Sequence, residues 1–80
     1  GIGMSIAANK IRGIRAATVS EHYSARYARS HNDVQVLCLG ARVIGAGLAQ
    51  ELVSVFLNTE ALGGRHMERI QMIEQFEQND

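Results

Sequence analysis

His31 and Asn32 stand side by side in "SHND", and they are the first residues of this 80-residue sequence that could do chemistry. A histidine with an ordinary pKa, about 6.5, can give or take a proton near neutrality. An asparagine at a helix end also has a purely structural use, because it tolerates the left-handed backbone. A surface turn histidine beside it therefore stands as the alternative. Arg65 and Arg69 come next. Four residues apart, they project from one side of a helix. They fall near that helix's start, where positive charge opposes the dipole and Glu68 offsets only part of the cost. Two guanidinium forks holding an anion would account for the choice; a solvated charged face is the alternative.

The opening "GIGMS" is a third candidate. Gly1 and Gly3 at a helix start leave backbone N–H groups free and let an anion approach closely. The loop is not the dinucleotide fingerprint, which needs a third glycine where this chain has Ile6, and no Gly-Lys-Ser/Thr of a Walker loop follows. A plain tight turn is the competing reading. Arg42 falls just beyond the second predicted strand, at the carboxyl end where ligands gather in open α/β sheets. Cys38 lies inside an apolar strand and reads as a packing residue. His22 and His66 have no partner pattern and read as surface, and Tyr23 and Tyr27 read as packing residues one helical turn apart. No cluster has metal-ligand spacing, so no metal site and no cofactor are expected.

The elements that must position these residues follow from the pattern. A short helix spans about Met4–Ile11 and ends at Gly13. "IRAATVS" (Ile14–Ser20) is β-compatible, and Ser20 is placed to cap a helix running to about Ser30. "HND" is turn chemistry, and "VQVLCLG" (Val34–Gly40) is an apolar run suited to a strand covered on both faces. Gly47–Asn58 is amphipathic, with Leu48, Leu52, Val53 and Phe56 as its stripe. Gly63–Gly64 breaks the chain. A last helix, Arg65–Gln78, is expected to carry Met67, Ile70, Ile73 and Phe76 on one face. Strands alternating with helices predict an α/β fold with a parallel sheet, in the order helix, strand, helix, strand, helix, helix. Two strands make a small sheet, and the first helix lacks a preceding strand. The sequence therefore reads as the back half of a larger α/β domain, cut inside a strand-to-helix loop.

Bulk composition narrows the possibilities further. The chain is 46% hydrophobic and 20% charged, rich for one small domain, which points to surface meant for a partner or for more of the same fold. Eight Lys plus Arg balance eight Asp plus Glu, so no basic excess draws it to nucleic acid or an anionic membrane. A single cysteine cannot form an internal disulfide, which makes a reducing cytoplasm the expected compartment. No apolar run approaches the ~18 residues of a membrane helix. There is no proline, and nothing marks a linker or a second domain.

Together and in this order, "GIGMSIAANK", "GIRAA", "SHNDVQVLCLGARVIG" and "GGRHMERI" resemble the ribose-5-phosphate isomerase B family, over essentially the whole chain. "HND" with "GGRH" resembles the ribose-phosphate branch more than the galactose-6-phosphate branch. The resemblance implies the carboxyl-terminal half of a Rossmann-like three-layer domain. It implies a metal-free, cofactor-free conversion between aldose and ketose phosphates: ring opening, then proton transfer between C1 and C2 through an enediolate.

Residue by residue, Gly1, Ile2, Gly3, Met4 and Ser5 match the end of the family's Cys-Gly-Thr-Gly-x-Gly-x-Ser loop, whose N–H groups would stabilise the enediolate. His31 matches the ring-opening acid/base, and Asn32 its neighbour that hydrogen-bonds the substrate's reacting end. Arg42, Arg65 and Arg69 match phosphate-binding arginines. The family's loop cysteine, its expected base, has no counterpart here, nor does its amino-terminal Asp-His pair. The resemblance also implies a homodimer or homotetramer with shared active sites, in which the final helix, 65–78, packs on a neighbouring subunit. The expected function is ribose-5-phosphate isomerisation, with this chain alone inactive. The alternatives are an isomerase for a six-carbon substrate such as allose-6-phosphate, and a non-catalytic sugar-phosphate-binding or oligomerisation module.

Overall fold

The computed structural model describes residues 1–78. The elements run α1 (Ile2–Asn9), β1 (Ala16–Thr18), α2 (His22–Ser30), β2 (Val36–Cys38), α3 (Ala46–Leu57) and α4 (Arg65–Gln78). The expected order and the parallel pairing are both present. The strands are shorter than the apolar runs that announced them. Only Ala16–Val36, Ala17–Leu37 and Thr18–Cys38 stand opposite one another, and a strand extends only as far as its ladder.

Side chains alternate across the strand pair. Ala17, Leu37 and Leu39 join one apolar cluster with Val19, Val34, Ala25 and Ala28, into which α3 inserts Leu48, Leu52, Val55 and Phe56. Leu52 is fully buried at its centre. Val53, expected in that stripe, lies outside the cluster, and Val55 takes its place. Ala16, Thr18, Val36 and Cys38 belong to the opposite face. There α1 packs, with Gly1 against Thr18 and with Asn9 exchanging two hydrogen bonds (2.8 and 3.0 Å) with the backbone of Ala16. A side chain at Gly1 would be crowded, since a Cβ would meet Thr18 Cγ2 at 3.2 Å and the Gly40 nitrogen at 3.3 Å.

Two expectations need correction. The N-cap of α2 is Glu21, not Ser20. The Glu21 carboxylate accepts from the Ser24 N–H at 2.9 Å and from the Ser24 hydroxyl, while Ser20 donates to Glu21. A longer side chain with two acceptors reaches the first turn more effectively than the preceding hydroxyl. The Ser24 bonds, which favour the charged form, hold the Glu21 carboxyl below the usual range.

The second correction concerns α4. Of its four expected core residues only Ile70 is buried; Met67, Ile73 and Phe76 are exposed. A row spaced three apart turns by roughly 60° per step at 3.6 residues per turn, so it spirals around the helix instead of forming a stripe. The covered face carries His66, Ile70, Glu74 and Glu77, which the same arithmetic gathers within about 80°. Polar bonds hold the helix down. Arg15 pairs with Glu74 at 2.9 Å, and Arg12 bonds the Glu77 carbonyl. The N–H of Gly13, which turns the chain at φ +84°, donates to both Glu77 carboxylate oxygens at 2.9 and 3.0 Å.

Candidate functional site

The helix α2 leaves the carboxyl end of β1 and runs back along the sheet, so His31, its C-cap, arrives at the amino edge of the strands. The turn His31–Asn32–Asp33 then feeds β2. It is tightly held. Asp33 has φ +43°, an uncommon conformation for a residue with a side chain. The Arg15 guanidinium donates to the carbonyls of Asn32 and Asp33, each at 2.9 Å. Arg29 donates to the Val34 carbonyl at 2.9 Å and to the Asp33 carboxylate at 3.3 Å, with its guanidinium 4.3 Å above the Phe56 ring.

The imidazole of His31 lies between two other rings. Tyr27 is 4.4 Å away at 47°, and His66 is 4.1 Å away at 8°. Tyr23 continues the row at 4.5 Å from Tyr27, because 23, 27 and 31 follow one another at four-residue spacing along one side of α2. His66 is therefore half-buried against His31, and not the unattached surface histidine that the sequence suggested. That burial lowers its pKa, and electrostatic repulsion from His31, Arg65 and Arg69 lowers it further.

Arg65 and Arg69 flank His66 on α4. Among the described residues neither makes an ion pair or a side-chain hydrogen bond, and the same holds for Arg42. Arg12, Arg15 and Arg29 are all engaged with other parts of the chain. The amino edge thus gathers an acid/base side chain, an amide and two available guanidinium groups.

The remaining candidates lie at the other end of the strands. Gly1 is the N-cap of α1, beside Thr18, whose hydroxyl donates to the Gly1 carbonyl at 3.0 Å. Gly1, Ile2, Thr18, Val19, Ser20, Gly40 and Val43 line one hollow. The first-turn N–H groups of Ile2, Gly3 and Met4 have no intrahelical acceptor. Ser5 differs: its N–H donates to Gly1 O at 3.1 Å and its hydroxyl to Ile2 O at 2.7 Å, because the helical ladder has already begun there. Arg42 sits in the turn after β2, which Val43 and Ile44 close by donating to the Gly40 carbonyl. The two ends are about four strand residues apart, roughly 13 Å at 3.3 Å per residue. One copy of the chain therefore brings His31, Asn32, Arg65 and Arg69 together and does not bring Gly1–Ser5 or Arg42 to them.

An open groove of about 490 Å³ follows the free side of β1 from Val19 to Asn32, walled by Tyr23 and Tyr27. No group of three or more His, Cys, Asp or Glu among the described residues is placed to hold a metal ion, and no helix there is long and apolar enough to cross a membrane. The residue that sequence reasoning missed is Arg15, which joins the turn to α4; its partners are 17 to 59 positions away, so no local spacing signals it.

A family model described as Ribose/Galactose Isomerase matches residues 1–73. Ribose-5-phosphate isomerase B of Escherichia coli is 50% identical over 78 residues, 98% of this chain and 52% of that protein. A D-erythrulose-4-phosphate isomerase of Pectobacterium atrosepticum is 46% identical over 80 residues, 100% of this chain and 53% of that one. The structure superposes on ribose-5-phosphate isomerase B of Clostridium thermocellum with a TM-score of 0.96 at 47% identity, covering 98% of this chain and 53% of the other. The chain spans about half the length of the relatives it matches.

Proposed function

Because the chain belongs to the ribose/galactose isomerase family, we propose that it supplies part of the active site of a sugar-phosphate isomerase interconverting an aldose and a ketose. The observation that carries this reading is the amino-edge cluster: a histidine next to an asparagine and stacked on His66, whose helix carries two arginines with no side-chain partner among the described residues. His31 takes the proton of the anomeric hydroxyl and delivers a proton to the ring oxygen as the bond from that oxygen to C1 breaks, and so opens the cyclic sugar. Asn32 hydrogen-bonds the freed carbonyl end. Arg65 and Arg69 hold the phosphate as paired forks. Charge that develops on the enediolate oxygen is met by the free N–H groups at the start of α1, and Arg42, from the same end of the strands, adds a third cation for the phosphate.

The two groups of residues lie at opposite ends of the strands, so a complete site takes one group from each of two copies. The exposed apolar side chains of α1 (Ile2, Met4, Ile6) and of α4 (Met72, Phe76) support such an assembly, as does the open groove beside β1 for a further element of the domain. Ribose 5-phosphate is the first substrate to test; the four-carbon substrate of the Pectobacterium relative and allose 6-phosphate are the next.

The test is a chimera in which this chain replaces the matched half of the E. coli relative. It is expected to isomerise ribose 5-phosphate, while the 80-residue chain alone gives no turnover, since among the described residues no carboxylate or thiol lines the hollow at Gly1. A folded chimera that binds sugar phosphate without turnover would instead place the chain among non-catalytic binding modules. Turnover by the chain alone would overturn the division of the site.

A further inference from the structure

We propose that Arg15 is a positioning residue for the His31–Asn32 pair, and that its ion pair with Glu74 keeps Arg65 and Arg69 in register with that pair. The inference rests on the function proposed above for those four residues.

Arg15 is fixed at its root. Its carbonyl accepts from the Gln35 N–H at 3.0 Å and the Val36 N–H at 3.3 Å, and its own N–H donates to the Gln35 side chain at 2.8 Å. Its backbone is thus part of the pairing that starts the sheet. The side chain is only 16% exposed, and each guanidinium nitrogen has a different acceptor. Nε donates to Asn32 O, Nη2 to Asp33 O and Nη1 to a Glu74 carboxylate oxygen, all at 2.9 Å. Two of these acceptors are consecutive carbonyls of the turn that aims Asn32, and the turn includes the left-handed Asp33. A backbone in that conformation stays there only when its surroundings hold it. The third acceptor is on α4, two turns beyond His66. One planar fork therefore ties the sheet, the acid/base turn and the arginine-bearing helix together. All three guanidinium nitrogens of Arg15 are bonded within the protein and the side chain is largely buried, so it acts through Asn32 and His31. Lysine offers a point charge in place of a fork and cannot reproduce three directed bonds.

The experiment uses the chimera and two variants. Arg15→Lys is expected to lower kcat about 10- to 100-fold with KM within about threefold, as misplacement of a reacting group does. Glu74→Gln, which alters a partly exposed partner, is expected to raise KM about three- to tenfold with kcat little changed. In parallel, the His31 ring and Asn32 side-chain amide signals are followed by NMR. They should shift in Arg15→Lys and stay in place in Arg12→Lys, whose arginine bonds α4 without touching the turn. Arg15→Lys that only melts earlier, with kcat of the folded protein and both signals unchanged, overturns the proposal. The spectra need no turnover. An inactive but folded parent chimera would therefore sink the function proposed above, while the spectra still decide the role of Arg15.

Discussion

The imidazole rings of His31 and His66 are stacked 4.1 Å apart and within 8° of parallel, which joins the end of α2 to the start of α4. The contact gives His66 a lowered pKa, first because the ring is partly removed from water and then through electrostatic repulsion from His31, Arg65 and Arg69. The unfolded chain therefore takes up a proton on His66 at higher pH than the folded one. Stability is undiminished above the ordinary histidine pKa, about 6.5, and falls as pH drops through the window just below it. Denaturation midpoints at pH 7.5 and 5 should show this loss, and His66→Phe, which keeps a ring for stacking, should flatten it. The window lies above the titration of Glu21, whose depressed pKa costs stability only in more acidic solution. An unaltered slope in His66→Phe would assign the effect to other groups.

NMR titration should find His66 protonating below the ordinary range. Arg69→Gln should bring it only part of the way back, since burial is the larger cause. Full restoration in that variant would make charge the dominant influence.

Replacing His31 with alanine in the chimera should slow turnover of the cyclic sugar more than that of the open-chain form, because only the cyclic form needs an acid/base at the ring oxygen. Pre-steady-state kinetics on the two forms make the comparison, and equal losses would remove the ring-opening role from His31.

Arg65 and Arg69 are expected to bind phosphate in ground and transition states alike, so their loss should appear mainly in KM. Arg69→Lys should raise KM roughly tenfold, equivalent to ~1.4 kcal/mol, and weaken competition by inorganic phosphate. Unchanged KM and unchanged phosphate inhibition in both Arg65→Ala and Arg69→Ala would make the pair a solvated face.

Leu52→Ala should destabilise the fold by about 2–5 kcal/mol, the range for truncating a buried leucine. The side chain is fully buried between the strands and α2, with Phe56 one turn away. Val53→Ala, at 39% exposure on the same helix, should cost far less. Urea midpoints of the two variants separate the cases, and equal losses would contradict the packing.

The element order and the parallel pairing were legible because apolar periodicity is local: strands and helices differ in period whatever surrounds them. The same holds for the residue types at His31–Asn32 and at Arg65–Arg69, whose chemistry and one-turn spacing need only a helix. Cap and stripe were less secure. Glu21 displaced Ser20 because side-chain reach decides a cap, and the Met67–Phe76 row failed because three-residue spacing does not close on a turn of 3.6.

Tertiary structure alone decided which candidates share a site. The direction of α2 against β1 sends His31 to the amino edge, and the ends of both strands hold Gly1 and Arg42 at the other. No spacing along the chain encodes that separation. Nor could it reveal Arg15, bonded across 59 positions to Glu74, or the stacking of His31 on His66, because contacts between distant segments exist only once the chain has folded them together. The amino-acid sequence by itself determined which side chains have the chemistry for proton transfer and anion binding. The fold determined that one chain gathers His31, Asn32, Arg65 and Arg69 at one end of the strands and holds Gly1–Ser5 and Arg42 at the other, since a helix between parallel strands must return its C-terminus to the edge where the next strand begins.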